Sequence, residues 1–174
     1  MKPLIALSRG AFGRAVELWH RDHFNLLAKV VSRRYPESAM KVIMIYGSAN
    51  DMPFMEPARA YLKENEVNYE ESVLSAHRNL SELIEYLAKL EESGEKAVIL
   101  AIAGLAAALP GVVVMKTSLP VIGVPVPGGP LNGIDALLSI SQLPGGVPAT
   151  TVGLHSKAPM NAAMAAYRII QLAS

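Results

Sequence analysis

The sequence predicts an α/β fold: a three-layer sandwich in which a central parallel sheet is covered by helices on both faces. Three observations carry this expectation. From Lys41 onward, short apolar runs alternate with stretches of helical period, the pattern of repeated βα units. The runs Lys41 to Tyr46 and Lys96 to Ile102 are almost continuously apolar, as strands buried on both faces must be. The 174 residues are 51% apolar and 18% charged, which suffices for one domain with a sizeable core.

The elements follow in order. Lys41 to Tyr46 is the first strand, and Gly47-Ser48-Ala49-Asn50-Asp51 is a turn able to cap a helix over Met52 to Asn65. Val67 to Val73 alternates as a second strand. Asn79 to Ser93 places Leu80, Leu83, Ile84, Leu87 and Leu90 on one helical face. Lys96 to Ile102 is the third strand, and the Ala-rich Gly104 to Lys116 a short helix disturbed by Pro110. Pro120 to Val124 is a fourth strand, Leu131 to Leu143 a helix, Ala149 to Gly153 a short fifth strand and Ala158 to Leu172 a terminal helix. That last helix carries small residues on several faces, which suits close packing between subunits.

Residues 1 to 39 differ from the rest. Ala11 to Arg33 is a helical candidate, with Phe12, Val16, Trp19, His23, Leu26, Leu27 and Val30 near one face, and Arg33 to Ser38 breaks it. Residues 1–39 are therefore an N-terminal extension or a helical arm. The extension, ahead of a domain spanning 40–174, is the favoured reading.

Composition narrows the function classes. A net charge of +1 gives no electrostatic case for nucleic acid or an anionic membrane. The absence of cysteine excludes disulfides, thiolate zinc sites and a cysteine nucleophile, and leaves a cytoplasmic location as the default expectation. Ala97 to Val114 is the nearest approach to a membrane span, but Gly104, Pro110 and Gly111 interrupt it. Met1 to Gly10 is followed by Arg14, Glu17, Arg21 and Asp22 with no apolar core, so a signal peptide is not expected. His20, His23 and His155 have no acidic partners at metal-ligand spacing, so no metal is expected.

Four stretches can carry chemistry, and all fall where a strand ends, the edge at which open parallel sheets bind ligands. In Gly47 to Asp51, Ser48 and Asn50 offer donors for an anion and Asp51 could hold ribose hydroxyls; helix capping by Ser48 or Asp51 explains the same residues equally well. In Ser75-Ala76-His77-Arg78, a group that exchanges protons near neutral pH sits beside a fixed cation suited to phosphate. A solvated polar loop is the plain alternative. Ala101 to Gly111 leaves a third strand end with small residues and a possible ring of backbone N–H donors, or simply tight helix–sheet packing. Gly123 to Pro130 is too rich in Pro and Gly for helix or strand and should form a rigid loop, either a pocket wall or a connector.

Taken together, these stretches resemble the PurE family. Gly47-Ser48-x-x-Asp51, Ser75-Ala76-His77-Arg78, Ala103-Gly104, Leu109-Pro110-Gly111 and Gly123-Val124-Pro125-Val126 occur in that family's order and spacing. So do Leu131-x-Gly133-x-Asp135-x-Leu137-x-Ser139-Ile140, Gln142-Leu143-Pro144-x-Gly146-Val147-Pro148 and Asn161-Ala162-Ala163. The match covers about residues 40 to 172. The resemblance implies a flavodoxin- or Rossmann-like sandwich, octameric assembly with sites shared between subunits, and an enzyme of purine biosynthesis. Most bacterial-type members are mutases that move a carboxylate from the exocyclic amine of N5-carboxyaminoimidazole ribonucleotide to a ring carbon. Others join CO2 to aminoimidazole ribonucleotide.

By resemblance, Ser48, Asp51 and Arg78 hold the ribose phosphate, while Ser75, His77 and the Ala103-Gly104 backbone lie at the base and carboxylate. Asn50, Ala108 and Leu109 complete the expected substrate-binding set, and neither metal nor organic cofactor is implied. Two departures stand out. Mutases usually carry His where this chain has Ala108, and Gly where it has Leu105. The mutase reading is therefore held beside direct carboxylation, and beside a nucleotide-binding relative that has lost turnover.

Overall fold

The computed structural model describes residues 40–173. The expected arm at Ala11 to Arg33, and the division of the chain at residue 39, lie outside the described residues. Strands β1 (Lys41–Tyr46), β2 (Tyr69–Val73), β3 (Ala97–Ala103), β4 (Val121–Pro125) and β5 (Thr150–Thr151) form one sheet in the order β2-β1-β3-β4-β5, every pair parallel. The helices are α1 (Glu56–Glu64), α2 (Leu80–Ser93), α3 (Ala108–Lys116), α4 (Ile134–Ser141) and α5 (Ala158–Ala173).

Two-residue periodicity divides the core. On one face of the sheet Ile43, Ile45, Ile99 and Ala101 pack with Leu83, Leu87, Val113 and Ile140 from α2, α3 and α4. On the other face Val42, Met44, Tyr46, Leu100 and Ile102 pack with Ala58 and Leu62 of α1 and Ala162, Ala163 and Ala166 of α5. Each buried Leu or Ile contributes about 1.5–3 kcal/mol relative to exposure. The small residues of α5 thus serve contacts within the chain, and Tyr167 meets Tyr61 of α1 edge-on, ring centroids 6.1 Å apart. No helix among the described residues is long and apolar enough to cross a membrane.

Several boundaries differ from the sequence expectation. The helix expected from Met52 begins instead as a 3-10 turn over Ala49–Met55, because Pro53 lacks an N–H donor, and becomes α-helical only at Glu56. The Ala-rich stretch is an open turn from Gly104 to Ala107, and α3 starts at Ala108. Pro110 then sits in the first turn, where no intrahelical N–H bond is lost. Gly123 lies inside β4 for steric reasons: a β-carbon there would approach Ile140 Cγ2 to 2.5 Å and Pro110 Cβ to 3.3 Å, so only glycine lets α3 and α4 come down onto the strand.

One polar network ties β1, β2 and α1. The Tyr46 hydroxyl donates to Glu71 Oε1 at 2.5 Å, and Arg59 donates to the same oxygen at 2.9 Å and to the Met52 carbonyl at 3.0 Å. Burial and the adjacent Glu71 carboxylate raise the Tyr46 hydroxyl well above the usual phenol range, so it remains a donor. Glu71→Ala would leave the buried Tyr46 hydroxyl without its carboxylate acceptor and remove one of the two carboxylates that pair with Arg59, which keeps Glu56 and the Met52 carbonyl. The expected loss is about 2–3 kcal/mol of unfolding free energy in urea, with Glu71→Gln recovering part of it. A loss below about 0.5 kcal/mol would place this network among inconsequential surface pairs.

Candidate active site

The chain leaves β1 and passes to β2 on one side, then crosses back to β3 on the other. The carboxyl ends of β1 and β3 are therefore a topological switch point, where flanking loops diverge and leave a crevice. A cavity of about 440 Å³ opens there, with walls from three loops. Every residue of the expected catalytic and substrate-binding set lines it: Ser48, Asn50 and Asp51 after β1, Ser75, His77 and Arg78 after β2, and Ala103, Gly104, Ala108 and Leu109 from the end of β3 onward; the fourth stretch, Gly123 to Pro130, contributes no lining residue.

The first loop is held by its backbone. Gly47 N–H donates to the Ile102 carbonyl at 2.9 Å, joining the ends of β1 and β3. Ser48 has an extended backbone, and its Oγ accepts from Asn50 N–H at 3.3 Å, the capping role that was the plain alternative for this residue. Asp51 is half-buried. Burial raises its carboxyl above the usual range, while the Ser48 backbone and the charge of Arg78 pull it back down. Arg78 thus acts electrostatically on Asp51 although the two lie in different loops.

The second loop is built around Asn79. Its side-chain oxygen accepts from Ser75 N–H at 2.6 Å, its own N–H donates to the Ser75 carbonyl at 3.2 Å, and its amide donates to Glu82 at 3.0 Å. Ser75 is buried, and its Oγ accepts from His77 N–H at 3.3 Å. These bonds fix a tight turn at Ala76 to Arg78 that leaves the His77 and Arg78 side chains exposed at the cavity. Neighbouring residues in one turn thus present a proton-transfer group and a cation to the same space.

The third loop narrows an expectation. Of the possible ring of backbone donors, Ala107 N–H is spent on the Leu105 carbonyl (2.9 Å) and Ala108 N–H on the Ala106 carbonyl (2.7 Å). At Ala108 the cavity meets a methyl group, which offers neither donor nor charge. Leu105 also lines the cavity, a position that periodicity could not have singled out because it belongs to no helix or strand. His155 is not among the lining residues; its Nδ1 accepts from Lys157 N–H at 3.1 Å and its carbonyl from Ala158 N–H at 2.9 Å, at the start of α5. Among the described residues, no three His, Cys, Asp or Glu are grouped as a metal would require.

Residues 41–174 match the family model described as AIR carboxylase. The chain is 48% identical over 132 residues to an N5-carboxyaminoimidazole ribonucleotide mutase of Pyrococcus abyssi, covering 76% of this chain and 74% of that protein. It is 47% identical over 127 residues to the mutase of the same name from Bacillus subtilis, covering 73% and 78%. A crystal structure of Treponema denticola PurE superposes with a TM-score of 0.69 at 29% identity, over 76% of this chain and 81% of that one.

Proposed function

The chain belongs to the AIR carboxylase family, and on that premise we propose that it is a purine-biosynthesis mutase converting N5-carboxyaminoimidazole ribonucleotide to 4-carboxy-5-aminoimidazole ribonucleotide. The observation that carries this reading is the gathering of Ser48, Asp51, Ser75, His77, Arg78 and the turn after β3 in one cavity at the switch point. Arg78 pairs with the phosphate, and Ser48 and Asp51 meet the ribose phosphate, so binding energy far from the reacting atoms orients the ring. The carbamate N–C bond breaks, leaving its electron pair on nitrogen, which takes up a proton, and releasing CO2. The enamine-like ring carbon attacks that CO2, and His77 removes the proton from this carbon. One proton is taken up and one released, so the net change is an isomerisation.

Direct carboxylation of aminoimidazole ribonucleotide is the second reading. Ala108 favours it, because a methyl stands in the cavity wall where the resembling mutases carry His. Purified protein given each substrate, the second with bicarbonate, separates the two. Product from the carbamate at low bicarbonate supports the mutase; product only with bicarbonate supports the carboxylase. Product from neither identifies a nucleotide-binding relative without turnover.

The assembly we infer is a homo-oligomer, octameric by resemblance. Ile134 and Leu138 on the outer face of α4, and Leu131 in the turn before it, are each about half exposed. A second apolar groove of about 450 Å³ is lined by Leu80, Ile84, Val112 and Met115 of α2 and α3. The expected result of light scattering at micromolar concentration is a multiple of the chain mass; a monomer would overturn this inference.

A further inference from the structure

The side chain of Arg59 reaches further than its place on α1 requires. Its Nε and Nη2 donate to Glu56 Oε2 at 2.9 and 2.7 Å, an i,i+3 pair of the kind common on helix surfaces. Its other contacts leave the helix. Nη2 donates to the Met52 carbonyl at 3.0 Å, and Nη1 to Glu71 Oε1 at 2.9 Å and to the Tyr46 hydroxyl at 3.4 Å. Tyr46 is the residue before Gly47, and Met52 the residue after Asp51. One largely covered guanidinium thus touches both ends of the loop that brings Ser48, Asn50 and Asp51 to the cavity.

That loop runs into a turn of a marginal kind. The 3-10 turn over Ala49–Met55 has 7 residues, whereas runs beyond about three or four are uncommon. Pro53 lies inside it and has no N–H to give. In an α-helix the Glu56 N–H would bond the Met52 carbonyl. It bonds the Pro53 carbonyl instead, as a 3-10 turn requires, and Arg59 takes the Met52 carbonyl. The α-helical alternative needs that carbonyl and is disfavoured while Arg59 holds it. The two forms differ by about 0.5 Å of rise per residue, so rewinding the turn would shift Asp51 against Ser48 by about 1.5 Å.

We propose that Arg59 is a positioning residue for substrate binding: held on α1 by Glu56, it keeps the Ala49–Met55 turn in its 3-10 form and so sets where Ser48 and Asp51 meet the ribose phosphate. The inference rests on the proposed function in taking those two residues as the ribose-phosphate contacts. Arg59 is not among the residues lining the cavity, so its effect passes through the turn. A planar guanidinium suits the task, because its rigid fork fixes the Met52 bond relative to the Glu56 bond, and a lysine amine would not. A displacement of about 1 Å can cost up to about 100-fold, and a turn still tied to β3 through Gly47 N–H should lose less, about tenfold.

Arg59→Met keeps an apolar stem and removes the donors. Calorimetry with aminoimidazole ribonucleotide is expected to show about tenfold weaker binding, with KM for the carbamate substrate raised alike and kcat, set by His77 on another loop, lowered less than about threefold. Amide hydrogen exchange over residues 49–55 of the free protein should quicken, while exchange in β3 should not. Arg59→Lys should recover part of the affinity. Glu71→Ala supplies the contrast: it lowers stability but leaves Arg59 its bonds to Glu56 and Met52, so affinity should stay close to wild type. Equal losses of affinity in Arg59→Met and Glu71→Ala would mean that general stability sets the site, and would overturn the proposal. So would an Arg59→Met protein with wild-type affinity and exchange. If Arg59→Met does not fold, Arg59→Lys is judged in the same way: weaker binding with faster exchange supports the proposal, and no change in either overturns it. A wild type that binds neither ribonucleotide would instead overturn the proposed function, and exchange in the variants would still decide whether Arg59 holds the turn.

Discussion

His77→Asn is expected to lower turnover by about 10²–10⁴-fold while leaving substrate affinity nearly intact, the range for loss of a positioned acid–base group. Asparagine approximates the size and hydrogen-bonding edge of the imidazole but cannot take up a proton near neutral pH. The turn that positions residue 77 should survive, because Ser75 Oγ holds the backbone N–H of His77, not its ring, and Asn79 braces the turn from the other side. The measurement is kcat and KM for the carbamate substrate, with affinity checked by calorimetry. A fall in affinity equal to the fall in kcat/KM would mean that the residue binds and does not transfer the proton. Residual turnover above about a tenth of wild type would point to another base.

Arg78→Ala should weaken substrate binding by about 1.5–3 kcal/mol, the worth of a charge-assisted contact, and should change kcat less than His77→Asn does. The same substitution should also move the pH dependence of binding, and the sign follows from Asp51. Burial raises the Asp51 carboxyl above its usual range and Arg78 opposes that rise. Removing the guanidinium raises it further, so the carboxylate needed to accept ribose hydroxyls is lost at a higher pH as the solution is acidified. Affinity measured from pH 4 to 8 should therefore show its acid limb displaced upward in Arg78→Ala. A limb that does not move, or moves down, would mean that Asp51 takes no part in binding.

The fold was largely legible because the strands and helices declare themselves by period. Lys41 to Tyr46 was expected and observed over the same residues, and its alternate side chains divide between the two faces of the core. The helix over Leu80–Ser93 buries Leu83, Leu87 and Leu90, as its spacing required. The misses fall where local chemistry competes with period. Pro53 turns the start of an expected helix into a 3-10 turn, and Gly104 to Ala107, composed of helix formers apart from Gly104, is an open turn. There the backbone must leave β3 and reverse onto α3, a demand set by the sheet and invisible in composition.

The sequence by itself determined the βα alternation, the positions of the strand ends and the polar residues placed on them, since each depends on neighbours a few positions away. It could not show that Ser48, Arg78 and Ala108 share one cavity. That follows from strand order, because β1 lies between β2 and β3 and their ends converge at the switch point. It likewise could not show that two N–H groups of the third loop are spent internally, or that Asp51 feels Arg78. Those are contacts between residues remote in sequence, brought together by parallel crossover connections, and only the packed sheet and its covering helices decide them.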